Sequence, residues 1–326
     1  MAKWLQNIKS FPLTVETVIK DYLKMPAGSS GIFYHYTTHT GLTGIIRSGG
    51  LRATYRMRMN DTNEFGYARE MVYKILNYIG KYNNPPKVLH SLTTYTRKNL
   101  DKFLKDTIEL SRAYCACLTV SSDDPKQWET YAENGRGFAI GFYLSKILNI
   151  QIPRSFGREP FIFCAPVTYD KQKQCDLVHR LLEAGFRDLQ TFAETYSQRS
   201  EDLTALSDRI KIEIVNQLFA LIDFIKAPAY SFEREIRLAL DSNDGTFKAP
   251  KVEYFEREGE SIPFIFFDLH NPKTKRLPLA EIKIGPKASF IEEKVFLENL
   301  LDELSYGSNY EDRPRITQSA KLETGI

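Results

Sequence analysis

The chain has 326 residues, 42% hydrophobic and 26% charged, an ordinary balance for a globular protein with a sizeable core, and its formal net charge is +3. So small an excess, with Lys and Arg interleaved among Asp and Glu, argues against nucleic acid as an obligate partner. No stretch approaches about 18 uninterrupted apolar residues and no apolar signal segment opens the chain, so a cytoplasmic protein without a membrane partner is expected. Cys115, Cys117, Cys164 and Cys175 lack paired zinc spacing and read as structural thiols.

In chain order, Val15, Val18, Ile19 and Tyr22 or Leu23 recur at helical spacing over residues 11–24, and residues 26–31 read as a linker. Residues 1–30 are therefore expected to be an N-terminal helical appendage. A strand over 32–37, a helix over about 39–47 stopped by Gly49-Gly50 and a short strand over 51–54 open the main domain. Asp61 and Glu64 have the spacing of a capping box before a long helix that carries Ala68, Met71, Val72, Ile75, Leu76 and Ile79. Another helix is expected near 97–111.

Strands follow over 113–120, 137–143 and 160–169, with a short helix over 125–132 between the first two. Gly135-Arg136-Gly137 precedes a strand, not a helix, and reads as a tight turn with positive φ rather than a nucleotide loop. Residues 170–227 carry two helical patterns, the second marked by Leu206, Ile210, Ile214, Leu218, Leu221 and Ile225. Strands over 232–241, 264–269 and 281–284 and a helix over 291–304 complete a domain of residues 31–305. Residues 306–326 read as a loose polar tail. Strands in clusters, with helices that do not alternate one for one, predict an α+β fold with a helical insertion at 170–227.

The densest chemistry lies in Phe232-Glu233-Arg234-Glu235-Ile236-Arg237. Read as a strand, it puts Glu233, Glu235 and Arg237 on one face, with the carboxylates roughly 7 Å apart. Far upstream stand Tyr34-His35-Tyr36-Thr37, and between them Trp128 and Tyr131 at i, i+3.

The blocks Tyr34–Thr37, Asn60–Phe65, Trp128-x-x-Tyr131-Ala132-x-x-Gly135-x-Gly137 and Glu233-x-Glu235-x-Arg237 together resemble a bacterial family of unknown function, DUF2971, across about residues 32–286. The layout is also similar to the ADP-ribosyltransferase fold, which implies a split or highly curved mixed sheet forming a cleft for NAD. By that resemblance His35 and Tyr36 hold NAD, Thr119 and Ser121 match a polar segment at a strand end, and Tyr131 stacks on nicotinamide; Arg237 either holds Glu235 ionised by opposite charge or meets a phosphate of the dinucleotide. Glu235 stabilises the oxocarbenium-like sugar while Glu233 orients the nucleophile, and the acceptor is a protein, a nucleic acid or water.

Two other classes fit the same residues. One is a metal-dependent hydrolase or nuclease using His35, Asp61, Glu64, Glu233 and Glu235. The other is a non-catalytic module that binds a nucleotide or a protein.

Overall fold

The structure is a computed structural model and describes residues 11–22, 31–59, 64–81, 95, 114–148, 162–195, 200–240, 251–271, 273–307 and 313–320. Its elements begin with α1 (Val15–Tyr22), β1 (Ile32–Thr37), α2 (His39–Ser48), β2 (Gly50–Tyr55), α3 (Glu64–Lys81), β3 (Tyr114–Thr119), α4 (Pro125–Tyr131), β4 (Phe138–Tyr143) and α5 (Leu144–Leu148). They continue with β5 (Ile162–Pro166), α6 (Lys171–Thr195), α7 (Ser200–Ile222), β6 (Glu235–Leu240), β7 (Val252–Arg257), β8 (Glu260–Asp268), β9 (Leu279–Ile284), α8 (Phe290–Glu303) and β10 (Arg315–Gln318). They form two compact units, residues 1–24, 56–113 and 167–230 in one and 25–55, 114–166 and 231–326 in the other. The expected helix near 97–111 and the capping residue Asp61 lie outside the described residues.

The first unit is helical. Leu206, Ile210, Ile214, Leu218 and Leu221 of α7 are fully buried, as their four-residue steps require of one helix face. Gly185 of α6 lets α7 approach closely, since a Cβ there would come within 2.8 Å of the Ile210 side chain.

Helix α1 belongs to this unit and is not a separate appendage. Buried Asp188 of α6 accepts hydrogen bonds from Thr14 N at 3.0 Å, Thr14 Oγ1 at 2.5 Å and Val15 N at 3.1 Å. These satisfy N–H groups that a helix start leaves open. Phe11 packs edge-on against Phe192 at 5.3 Å. The buried ion pairs Arg56–Asp223 (2.6 Å) and Lys226–Glu64 (3.2 Å) tie the remaining segments in, and the latter uses the carboxylate expected to serve a capping box.

The second unit is an open, mixed ten-stranded sheet flanked by helices, so the fold class is α+β. Its main path is β10-β9-β4-β1-β3-β2-β8-β7, and β6 joins β3 to β5. Only the β9–β10 pair in it is parallel among the pairings described.

The sheet splits at one edge of β3. There β1 meets β3 at Tyr34↔Thr119, while β2 meets it at Thr54↔Cys115 and Tyr55↔Tyr114. If both ladders continued, Tyr36 and Arg52 would each fall opposite Cys117. Two strands cannot occupy one edge position, so β1 and β2 diverge there. On one sheet face Phe33, Leu118, Ile140, Ile236, Leu238 and Ile282 form a core with Leu42 and Ile46 of α2 and Leu297, Leu300 and Leu301 of α8.

Two strands lie where none was expected. The β7–β8 hairpin turns at Glu258-Gly259, both with positive φ (53° and 80°), as a two-residue hairpin of this hand demands. β10 runs parallel to β9 from Arg315↔Glu281 to Gln318↔Ile284. This part of the polar C-terminal segment is therefore ordered by backbone pairing, which needs no apolar stripe. Among the described residues no helix is long and apolar enough to cross a membrane.

Candidate functional site

Register decides which side chains share a face, because residues directly opposite in a ladder point the same way and neighbours along a strand alternate. Thr119 lies opposite both Tyr34 and Glu235, and Cys117 lies opposite Arg237. Tyr34 and Tyr36 lie opposite Gly141 and Ala139, which in turn face Glu281 and Lys283. One face of the sheet therefore gathers Tyr34, Tyr36, Cys117, Thr119, Glu235, Arg237, Glu281 and Lys283. His35 lies opposite Ile140 and belongs to the other face, with the hydrophobic core.

That placement corrects the expectation that His35 and the late carboxylates line one crevice. The imidazole is half-buried at the split, where its Nδ1–H donates to the carbonyl oxygen of Cys117 at 2.9 Å. The bond closes a backbone group that the diverging strands leave without a ladder partner. Burial lowers the His35 pKa, so the neutral imidazole suits the fold.

Glu233 departs from the expected strand. It ends a 3-10 turn (Pro228–Glu233), and Arg234 follows with φ 44°, so the two-residue alternation begins only at Glu235. The Glu233 carbonyl accepts hydrogen bonds from Thr119 Oγ1 at 2.7 Å and Gln127 Nε2 at 3.2 Å. Its carboxylate Oε1 accepts one from the Tyr131 hydroxyl at 3.1 Å. Glu233 is thus brought to Tyr131 despite the altered backbone.

Glu235 and Arg237 form a buried, two-pronged pair, Nε to Oε1 at 2.6 Å and Nη2 to Oε2 at 3.0 Å. Both oxygens of Glu235 are engaged by this one guanidinium. The Cys117 thiol beside it is pushed well up, first by burial and then by the Glu235 charge, and is no thiolate nucleophile.

The aromatic wall comes from α4 and β1. Asp124 caps α4, accepting from Lys126 N and Gln127 N, with Pro125 at the first helical position. This aims Trp128 and Tyr131 at the sheet, and Trp128 meets Tyr36 edge-on at 4.8 Å. The Tyr36 hydroxyl donates to the Ser121 carbonyl at 3.1 Å and accepts from Asp124 N at 2.9 Å, so Tyr36 and Ser121 act here as scaffold. Burial raises the pKa of Tyr36, and burial with Glu281 raises that of Tyr34.

Two carboxylates that the sequence did not single out fasten this wall to the C-terminal strand. Asp123 accepts from Trp128 Nε1 at 2.8 Å, Ser319 Oγ at 2.6 Å and Ala320 N at 3.1 Å. Burial raises its pKa, but these bonds outweigh burial and hold the carboxyl below its usual range. Glu281 accepts from Tyr34 at 2.8 Å and Thr317 at 2.7 Å. The available signal for Glu281 was the alternation Glu281-Ile282-Lys283-Ile284, with polar residues on one strand face. For Asp123 nothing in the local pattern separates it from its capping neighbour.

Among the described residues no group of three or more His, Cys, Asp and Glu side chains is arranged to hold a metal ion.

The segment holding Gln127, Trp128, Tyr131, Glu233, Glu235 and Arg237 also carries the sequence relationship. Residues 127–238 match the model of a family described as a protein of unknown function, DUF2971. The DUF2971 resemblance holds over this stretch, which begins at the aromatic wall and ends just past the ion pair. No curated protein and no solved structure matches the chain.

Proposed function

We propose that the protein is an ADP-ribosyltransferase-like enzyme that cleaves the nicotinamide–ribose bond of NAD on the face of the sheet bearing Tyr131, Glu233, Glu235 and Arg237. The observation that carries this reading is a phenol-bound carboxylate two residues along the chain from a second carboxylate already neutralised by arginine, with an aromatic wall on α4 and β1. Breaking the glycosidic bond places positive charge on the ribose, and a fixed carboxylate stabilises that charge as it develops.

Glu233 is assigned that role. Glu235 spends both oxygens on Arg237, whereas Glu233, also buried, accepts at Oε1 from the hydroxyl of the half-buried Tyr131. Glu235 and Arg237 instead keep the adjoining strand rigid and fix the local charge. His35 receives no part in the chemistry. The split in the sheet at β3 agrees with the architecture that the resemblance implies.

The test is release of nicotinamide from NAD, followed chromatographically with and without cell lysate as a source of acceptor. Wild-type protein is expected to release it, and Glu233→Gln to do so at least about a hundredfold more slowly, the usual effect of removing one preorganised electrostatic group. No release by wild-type protein under either condition overturns the reading.

Burial of the Glu235–Arg237 pair favours one alternative, a non-catalytic nucleotide-binding module in which the pair is structural. NAD binding without turnover, unaffected by Glu233→Gln, would select it.

A further inference from the structure

On the β2 side of the split, Arg52 is exposed, and its guanidinium carbon lies 5.2 Å from the centre of the Phe255 ring and 5.0 Å from that of Phe264. Register puts it on the face that bears Glu235 and Arg237. Arg52 and Thr54 point the same way along β2, Thr54 is opposite Cys115, and Cys115 is opposite Ala239, which shares a face with Arg237 and Glu235. Among the described residues, ring contacts are the interactions that its side chain makes, and no carboxylate neutralises it.

An exposed arginine ordinarily samples many rotamers. Two rings beneath the guanidinium restrict this one through cation–π attraction, so a ligand has less side-chain entropy to remove. The planar fork left facing solvent matches phosphate oxygens in a way that a lysine does not. A fixed, unneutralised guanidinium at the mouth of a split, on the face that carries the carboxylates, is an anion contact in waiting.

We infer that Arg52 binds a phosphate of the nucleotide diphosphate taken up on this face. The assignment rests on the nucleotide reading above and gives that site a second anchor, from β2. It divides the ligand's recognition: the sugar faces Tyr131 and Glu233, and the diphosphate crosses the split to Arg52.

Calorimetry on the full chain tests it with three probes, NAD, ADP and nicotinamide riboside, the last of which has no phosphate. Arg52→Gln keeps part of the aliphatic cover over the rings and removes the charge, and an unchanged melting temperature shows that the fold is intact. Arg52→Gln is expected to weaken NAD and ADP roughly 10- to 100-fold while leaving nicotinamide riboside unchanged. Arg52→Lys should recover only part of the loss. If ADP binds and loses affinity in Arg52→Gln while NAD is never cleaved, the phosphate contact stands and the glycosyl-transfer reading fails. Equal affinities of wild type and Arg52→Gln for ADP, no ADP binding at all, or an equal loss for nicotinamide riboside overturns the inference.

Discussion

Removing Glu235 separates a buried pair from a solvated ladder. On an exposed strand face the change would cost less than about 0.5 kcal/mol. Here Glu235 is 6% exposed and Arg237 2%, with two charge-assisted bonds between them. Glu235→Ala takes this carboxylate from a desolvated guanidinium, and breaking one side of such a pair costs about 3–5 kcal/mol. With a urea m-value of about 2–3 kcal/mol/M, the unfolding midpoint should fall by about 1–2 M. Circular dichroism and tryptophan fluorescence read the transition. The double variant Glu235→Leu/Arg237→Met should recover most of the loss, because apolar residues of similar volume replace a buried pair at little cost. A loss below about 1 kcal/mol for Glu235→Ala, or a double variant no more stable than the worse single one, would refute the reasoning.

Three further outcomes follow from single contacts. Because burial holds the His35 pKa below 6.5, the folded protein binds fewer protons than the unfolded chain once pH drops under that value. The stability His35 contributes is full above 6.5 and lost as pH falls through its folded pKa, so His35→Gln should flatten the acid limb of a plot of stability against pH; an unaltered limb contradicts the placement. Asp188→Ala removes three hydrogen bonds at the start of α1 and should cost about 1–3 kcal/mol, seen as faster amide exchange at Val15; unchanged exchange would mean that α1 is held elsewhere. Ser319→Ala removes one of the bonds Asp123 shares between the C-terminal strand and Trp128, and in a Trp4→Phe background the Trp128 emission should shift. An identical spectrum would show that the strand does not set the indole's position.

Much of the fold was legible because it depends on local patterns. The α7 stripe from Leu206 to Leu221, the Gly49 cap and the alternation of β1 all follow from periodicity and turn chemistry. β7 and β10 were missed for a different reason. β7 is a charged edge strand whose turn uses Glu-Gly in place of a stronger turn pair, and β10 is short and polar, defined by its partner β9.

The site shows the same limit. Tyr131 meets Glu233 and Arg237 meets Glu235, but parity over several strands set the position of His35, and no local pattern carries that information. The left-handed Arg234 breaks the strand between the two glutamates, and an arginine there gives no warning of it. Asp123 and Glu281 matter through contacts more than 190 residues apart in the chain for Ser319 and Tyr34 respectively.

The most direct measurement compares Glu233→Gln and His35→Gln in the same nicotinamide-release assay at pH 7.5 or above, where the wild-type imidazole is neutral. If the sheet divides its labour as its register implies, Glu233→Gln loses at least two decades in kcat and His35→Gln stays within about threefold of wild type. Collapse of turnover in His35→Gln, with Glu233→Gln fully active and both variants folded, would place the chemistry on the opposite face.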